Sequence, residues 1–83
     1  MFVILVYDIG EKRVAKALKI ARKYLHWVQN SVLEGEISNA NFVKLKTELK
    51  MMMDPTEDSV IFYTFPNNEI YISGSDGCEE RRG

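Results

Sequence analysis

An α+β domain, with two helices packed on one face of an antiparallel sheet, is the fold this sequence predicts, and three observations predict it. An apolar run opens the chain, Met1-Phe-Val-Ile-Leu-Val-Tyr7, with the β-branched, aliphatic and aromatic residues of a strand. Two stretches of helical period follow, Glu11 to Leu25 and about Ala40 to Met53, each apolar on one side. A second strand-like run, Ser59-Val-Ile-Phe-Tyr-Thr-Phe65, comes after both. In a chain of 83 residues these elements make one domain around one core.

Phe2 to Asp8 reads as a central strand covered on both faces, because its apolar run shows no polar alternation. Asp8 stands at its carboxyl end, where ligand and catalytic groups of open sheets tend to sit. With Gly10 and a helix directly after it, Asp8 is a candidate site residue. Asp8 and Glu11 also have the spacing of a capping box, with Asp in the usual Ser/Thr slot. That reading gives Asp8 no task beyond accepting hydrogen bonds from the helix.

The first helix, Glu11 to Leu25, carries two opposed stripes. Val14, Ala17, Leu18, Ala21 and Leu25 form the buried one. Lys12, Lys16, Lys19 and Lys23 fall within about 60° of one another on the other side, flanked by Arg13 and Arg22. A solvated face and a track for phosphate backbones both fit this row, and the near absence of acids after Glu11 favours the second.

Trp27 to Ile37 has strand composition with a polar middle, and Gly35 suggests a bulge or bend. It reads as one irregular strand or as two short strands bent at Asn30 and Ser31. Ser38 and Asn39 can cap the second helix, whose inner face holds Phe42, Leu45, Leu49, Met52 and Met53, and Asp54-Pro55 ends it. Met51 to Met53 are expected to fill core at the helix end. Ser59 to Phe65 leads through the turn Pro66-Asn67-Asn68 to a short strand at Glu69 to Ser73. The domain is therefore expected over 1–73, with 74–83 a polar, loose tail. If Trp27 to Ile37 is two strands, the order becomes βαββαβ plus one extra C-terminal strand, a ferredoxin-like arrangement. One sheet face then stays open, a natural surface for a homodimer.

Composition narrows the function less than pattern does. The net charge of −1 says nothing about nucleic acid, but basic residues crowd the first third while acids prevail from Asp54 to Glu80. The single cysteine, Cys78, excludes an intrachain disulfide and points to a reducing, cytoplasmic setting. The apolar opening has no basic leader and is too short to span a bilayer, so no membrane association is expected.

Val6-Tyr-Asp-Ile9 followed by a basic helix with Arg13, then Tyr24-Leu-His-Trp-Val-Gln-Asn-Ser-Val-Leu-Glu-Gly35, then Asp58-Ser-Val-Ile-Phe-Tyr63, together resemble the CRISPR-associated Cas-two protein family. The resemblance runs from Met1 to about Ile72, and Gln29, Ser31, Val32 and Glu34 in order are its more specific part. It implies two strands in the Trp27 to Ile37 region and a homodimer whose two copies of Asp8 face each other across the two-fold axis. It also implies a role in acquiring CRISPR spacers, in antiviral defense, as the central dimer between two dimers of the Cas-one integrase, with double-stranded DNA across the assembly. Some members are described as metal-dependent endonucleases, hydrolases of RNA or of double-stranded DNA, and others as scaffolds. The chain departs from the pattern at Trp27, where many members have Arg, and at Leu33, where they have Phe. After Ile72 only Cys78 is apolar, so the usual C-terminal strand that crosses to the partner is missing.

On this reading Asp8 is the metal ligand and catalytic residue, and the cofactor is Mg2+ or another divalent cation. Magnesium wants oxygen ligands, keeps several waters and commonly takes one or two carboxylates from a protein. Asp8 from each of two chains supplies two. No general base is evident: Tyr7 packs or orients, since a phenol near pKa 10 is protonated at neutral pH, and His26 is expected on the surface at the far end of the helix. Lys12, Arg13, Lys16, Lys19 and Lys23 are the candidate nucleic-acid-binding residues. A DNA-binding scaffold without catalysis, and a ferredoxin-like regulatory dimer unrelated to nucleic acid, are the competing classes.

Overall fold

Apolar residues at every second position of the first strand send Val3, Leu5 and Tyr7 to one side and Phe2, Ile4 and Val6 to the other, and the fold is built on that division. In the computed structural model, residues 1–65 are described in full and residues 69–74 and 80–82 as strand backbone. The elements run β1 (Phe2–Asp8), α1 (Glu11–Ala21), β2 (His26–Gln29), β3 (Val32–Glu36), α2 (Asn39–Met52), β4 (Ser59–Phe65), β5 (Glu69–Gly74) and β6 (Glu80–Arg82). All the strands join one sheet in the order β2-β3-β1-β4-β5-β6. Every pairing is antiparallel. The first four strands and two helices are the ferredoxin-like βαββαβ unit, and β1 lies at its centre between β3 and β4.

Both helices cover one face. Val3, Leu5, Tyr7, Leu33, Val60 and Phe62 from the strands pack with Ala17, Ala21, Phe42, Leu45 and Leu49 from the helices. Phe42 meets Phe62 edge to face at 5.3 Å between ring centroids, a geometry that satisfies the ring quadrupoles. Among the described residues, the strand expected to be covered on both faces is covered on one. On the other, Phe2, Ile4 and Val6 are half-buried, and Tyr63 and Phe65 are exposed. Phe2 pairs with Phe65, Ile4 with Tyr63 and Val6 with Ile61, so the open face is apolar across the two strands.

Local chemistry accounts for most boundaries. Ser38 caps α2 by accepting from the Asn41 N–H at 3.1 Å. The two-strand reading of Trp27 to Ile37 holds, with the turn at Asn30 and Ser31. Asn30 there takes a positive φ of 37°, a conformation in which Asn is among the enriched non-glycine residues. The irregularity expected at Gly35 lies instead in β2, between Trp27 and Gln29. Gly35 is in regular register with Val3 and buried beneath Leu25. Helix α1 ends four residues before Leu25, because Lys23 and Tyr24 donate to the carbonyls of Ile20 and Ala21 in a tightened turn that drives Leu25 into the core. Of the methionine run only Met53 is buried, while Met51 is 82% exposed and fills no core.

The tail expected to be loose carries backbone pairing at β6, along the edge of β5. Its Glu-Arg-Arg sequence has little strand propensity and gave no sign of this. The turn at Pro66-Asn67-Asn68, the remaining tail residues 75–79 and 83, and Cys78 with them, lie outside the described residues. Among the described residues no helix is long and apolar enough to cross a membrane.

Candidate metal centre and nucleic-acid interface

Asp8 ends the row Phe2, Ile4, Val6, and so faces the same way as the open apolar surface. It is exposed. The N-cap of α1 is Gly10, and no side chain caps the helix, so the capping role open to Asp8 is not the one it plays. Its carboxylate makes no hydrogen bond or ion pair among the described residues. A free, hard oxygen donor at a strand end suits a divalent ion. Within one chain, no three His, Cys, Asp or Glu side chains gather to hold a metal among the described residues.

The carboxylate that organises the start of α1 is Asp58. It is wholly buried. Its Oδ1 accepts from the Gly10 N–H at 2.8 Å and from Arg13 Nη2 at 3.0 Å. Its Oδ2 accepts from Arg13 Nε at 2.6 Å and from the Asp54 N–H at 2.8 Å. The Arg13 guanidinium, with the N–H groups of Asp54 and Gly10, holds this carboxyl well below the usual carboxylate range despite burial. Arg13 also donates to Glu57 at 3.0 Å. Asp58 and Glu57 together push its pKa up, and the guanidinium is committed to them. Arg13, expected among the nucleic-acid contacts, is thus placed in a structural ion pair.

Lys12, Lys16 and Lys19 are exposed along α1 and have no partner among the described residues. Over seven residues they span about 10 Å of helix. Lys23 lies beyond the helix, and its Nζ donates to Glu48 Oε1 at 2.7 Å while the Tyr24 hydroxyl donates to Glu48 Oε2 at 2.6 Å. These two donors lower the Glu48 pKa, and the charge of Lys23 is largely answered. Lys19, Arg22 and Lys23 line a shallow depression beside Trp27, whose ring lies 5.7 Å from the Arg22 guanidinium.

Tyr7 and His26 sit as the chain pattern suggests. Burial raises the Tyr7 pKa, and its hydroxyl donates to the Asn30 carbonyl at 3.1 Å, so it stays protonated and orients the β2–β3 turn. His26 is exposed at the start of β2. The residue that sequence reasoning passed over is Asp58. The one signal was an acid directly before a strand, and its partner Arg13 is 45 positions away.

Comparison with known proteins identifies the family and the fold. The family model described as CRISPR associated protein Cas2 matches residues 1–71. The CRISPR-associated endoribonuclease Cas2 of Thermotoga maritima is 55% identical over 80 residues, covering 96% of this chain and 92% of that protein. That of Dictyoglomus turgidum is 57% identical over 63 residues, covering 76% of this chain and 72% of its own. The crystal structure of Streptococcus pyogenes Cas2 at pH 6.5 matches with a TM-score of 0.73 at 34% identity, over 82% of this chain and 89% of that one. With a family match across residues 1–71 and the same strand and helix arrangement in solved relatives, this chain belongs to the CRISPR-associated protein Cas2 family.

Proposed function

We propose that the chain acts in CRISPR spacer acquisition as a homodimer that holds nucleic acid on α1 and cleaves phosphodiesters at a metal site formed by Asp8 from both copies. The observation that carries this reading is the exposed Asp8, which caps no helix, at the rim of an apolar face left open among the described residues. Half-buried Phe2, Ile4 and Val6 support pairing through that face, because a central strand without polar alternation is suited to cover on both sides. Lys12, Lys16 and Lys19 bind backbone phosphates, and a two-fold axis doubles their track so that a duplex can bridge both subunits and the flanking Cas-one integrase dimers. The two Asp8 carboxylates would hold Mg2+ or a similar ion, which when bound supplies Lewis-acid stabilisation of charge on a phosphoryl oxygen. Asp8 itself binds and orients. Tyr7 moves no proton, because its hydroxyl is protonated and engaged.

The test is nucleolysis of short RNA and duplex DNA by wild type and Asp8→Asn, with and without chelator. We expect cleavage to need both Asp8 and a divalent ion, and sedimentation to give a dimer for both proteins. Equal cleavage by Asp8→Asn removes the metal reading, and a folded monomer at micromolar concentration removes the shared site. A non-catalytic scaffold is the second reading, favoured by the lack of a metal-holding cluster within one chain among the described residues. Tight duplex binding without cleavage under any divalent ion would establish it. The family match argues against a regulatory dimer unrelated to nucleic acid.

A further inference from the structure

We propose that the ion pair of Arg13 with Asp58, seated against Gly10, fixes the place of the Asp8 carboxylate, making Arg13 and Asp58 positioning residues for the metal site. The proposal rests on the reading of Asp8 just given. A side chain with no hydrogen bond or ion pair of its own among the described residues takes its position from its backbone, and the clamp acts on that backbone. Asp8 makes the last register pair of β1 with β4, opposite Ser59. Two residues later, Gly10 donates its N–H to Asp58, the neighbour of Ser59, at 2.8 Å. The turn between strand and helix is therefore held at both ends by one short stretch of the approach to β4. Arg13, in the first turn of α1, donates to both oxygens of the same carboxylate, at 2.6 and 3.0 Å, and stops the helix start from swivelling about the strand end.

Gly10 supplies an independent observation. Its φ of −59° and ψ of 150° are open to any residue, so backbone freedom does not explain a glycine there. Space does: a Cβ on Gly10 would lie 2.8 Å from Arg13 Nη2, inside van der Waals contact with a guanidinium already fixed by two carboxylates. The missing side chain is the room in which the clamp closes. Gly10→Ala thus loosens the clamp while leaving Asp8, Arg13 and Asp58 chemically intact.

The experiment is calorimetric titration of Mn2+ into wild type, Asp8→Asn, Gly10→Ala and Arg13→Lys, with circular dichroism and sedimentation to establish fold and assembly. We expect Asp8→Asn to abolish binding. Gly10→Ala and Arg13→Lys, folded and assembled as wild type, are expected to bind Mn2+ about 10-fold more weakly, the loss typical when a group supporting a metal ligand is disturbed. In cleavage, kcat should fall while KM for the nucleic acid holds, since the lysines of α1 are untouched. Wild-type Mn2+ affinity in Gly10→Ala, alongside lost binding in Asp8→Asn, would make the clamp a structural feature only and overturn the proposal. Wild-type binding by Asp8→Asn would remove the metal reading itself, and the positioning role with it. If Arg13→Lys does not fold, Gly10→Ala carries the test alone.

Discussion

Asp8 and Asp58 stand one sheet rung apart, at the end of β1 and the approach to β4, and their surroundings are opposite. Asp58 is sealed from solvent and accepts four hydrogen bonds, two from one guanidinium and two from backbone N–H groups. Asp8 is exposed and accepts none among the described residues. A buried carboxylate persists only if its charge and lone pairs are answered, so Asp58 is given over to holding the fold. The exposed one owes nothing to the fold and is available to a ligand. The difference separates two aspartates that residue type alone would merge: one builds the strand end and the other is left open at it.

The largest effect should fall on Asp58. Asp58→Ala strands a partly buried guanidinium and two N–H groups, and is expected to destabilise the protein by roughly 3–5 kcal/mol, the usual cost of breaking a buried ion pair. Asp8→Ala should stay within about 0.5 kcal/mol of wild type. Denaturant unfolding at matched protomer concentration compares them, and equal losses would erase the distinction. Acid should act through the same residue. A carboxyl held low by folding contributes its full stability above its unfolded value, about 3.9, and loses it as pH falls toward the folded value. Asp58 is so held by Arg13, with Glu48, held by Lys23, and Asp54, held by the Thr56 N–H, in the same direction. Wild type should therefore weaken as pH drops below about 4, and Asp58→Asn should show a flatter acid limb in melts across pH.

The lysines test the side of the comparison that faces ligand. Replacing Lys12, Lys16 and Lys19 with Gln should lower the slope of log affinity against log salt by about 0.9 for each phosphate no longer neutralised, and weaken all duplexes alike. An unchanged slope would take α1 out of the nucleic-acid path. Lys23→Gln should change least, because Glu48 already answers its charge. A salt slope altered as much by Lys23→Gln as by any one helix lysine would show that the pair opens on binding.

Local signals made most of this legible in the sequence. β1 and β4 were readable to the residue from their apolar runs, and α2 from its cap and stripe. What was not readable depends on partners far along the chain. Helix α1 looks continuous to Leu25 by period, but tertiary contacts of Tyr24 and Leu25 end it at Ala21. Arg13 belongs to the basic helix by spacing and to Asp58 by folding. Asp8 stands out as a candidate by its place at a strand end, while the cap position fell to Gly10, held by Asp58, because the turn carries the chain two residues further before the helix begins.

The hairpin of β2 and β3 has a consequence for watching this protein unfold. Its turn carbonyl, at Asn30, accepts from the indole N–H of Trp27 at 3.0 Å as well as from Tyr7. Trp27 is the chain's only tryptophan, and it is about half exposed under Arg22 at the sheet's edge. Its fluorescence is therefore a gauge of that edge and not of the core. Emission should report the hairpin peeling from the sheet, while far-ultraviolet dichroism follows the helices. If the two signals change together, the edge strand melts with the core as one cooperative unit; if emission moves first, the hairpin is a separate, weaker unit that opens before the rest.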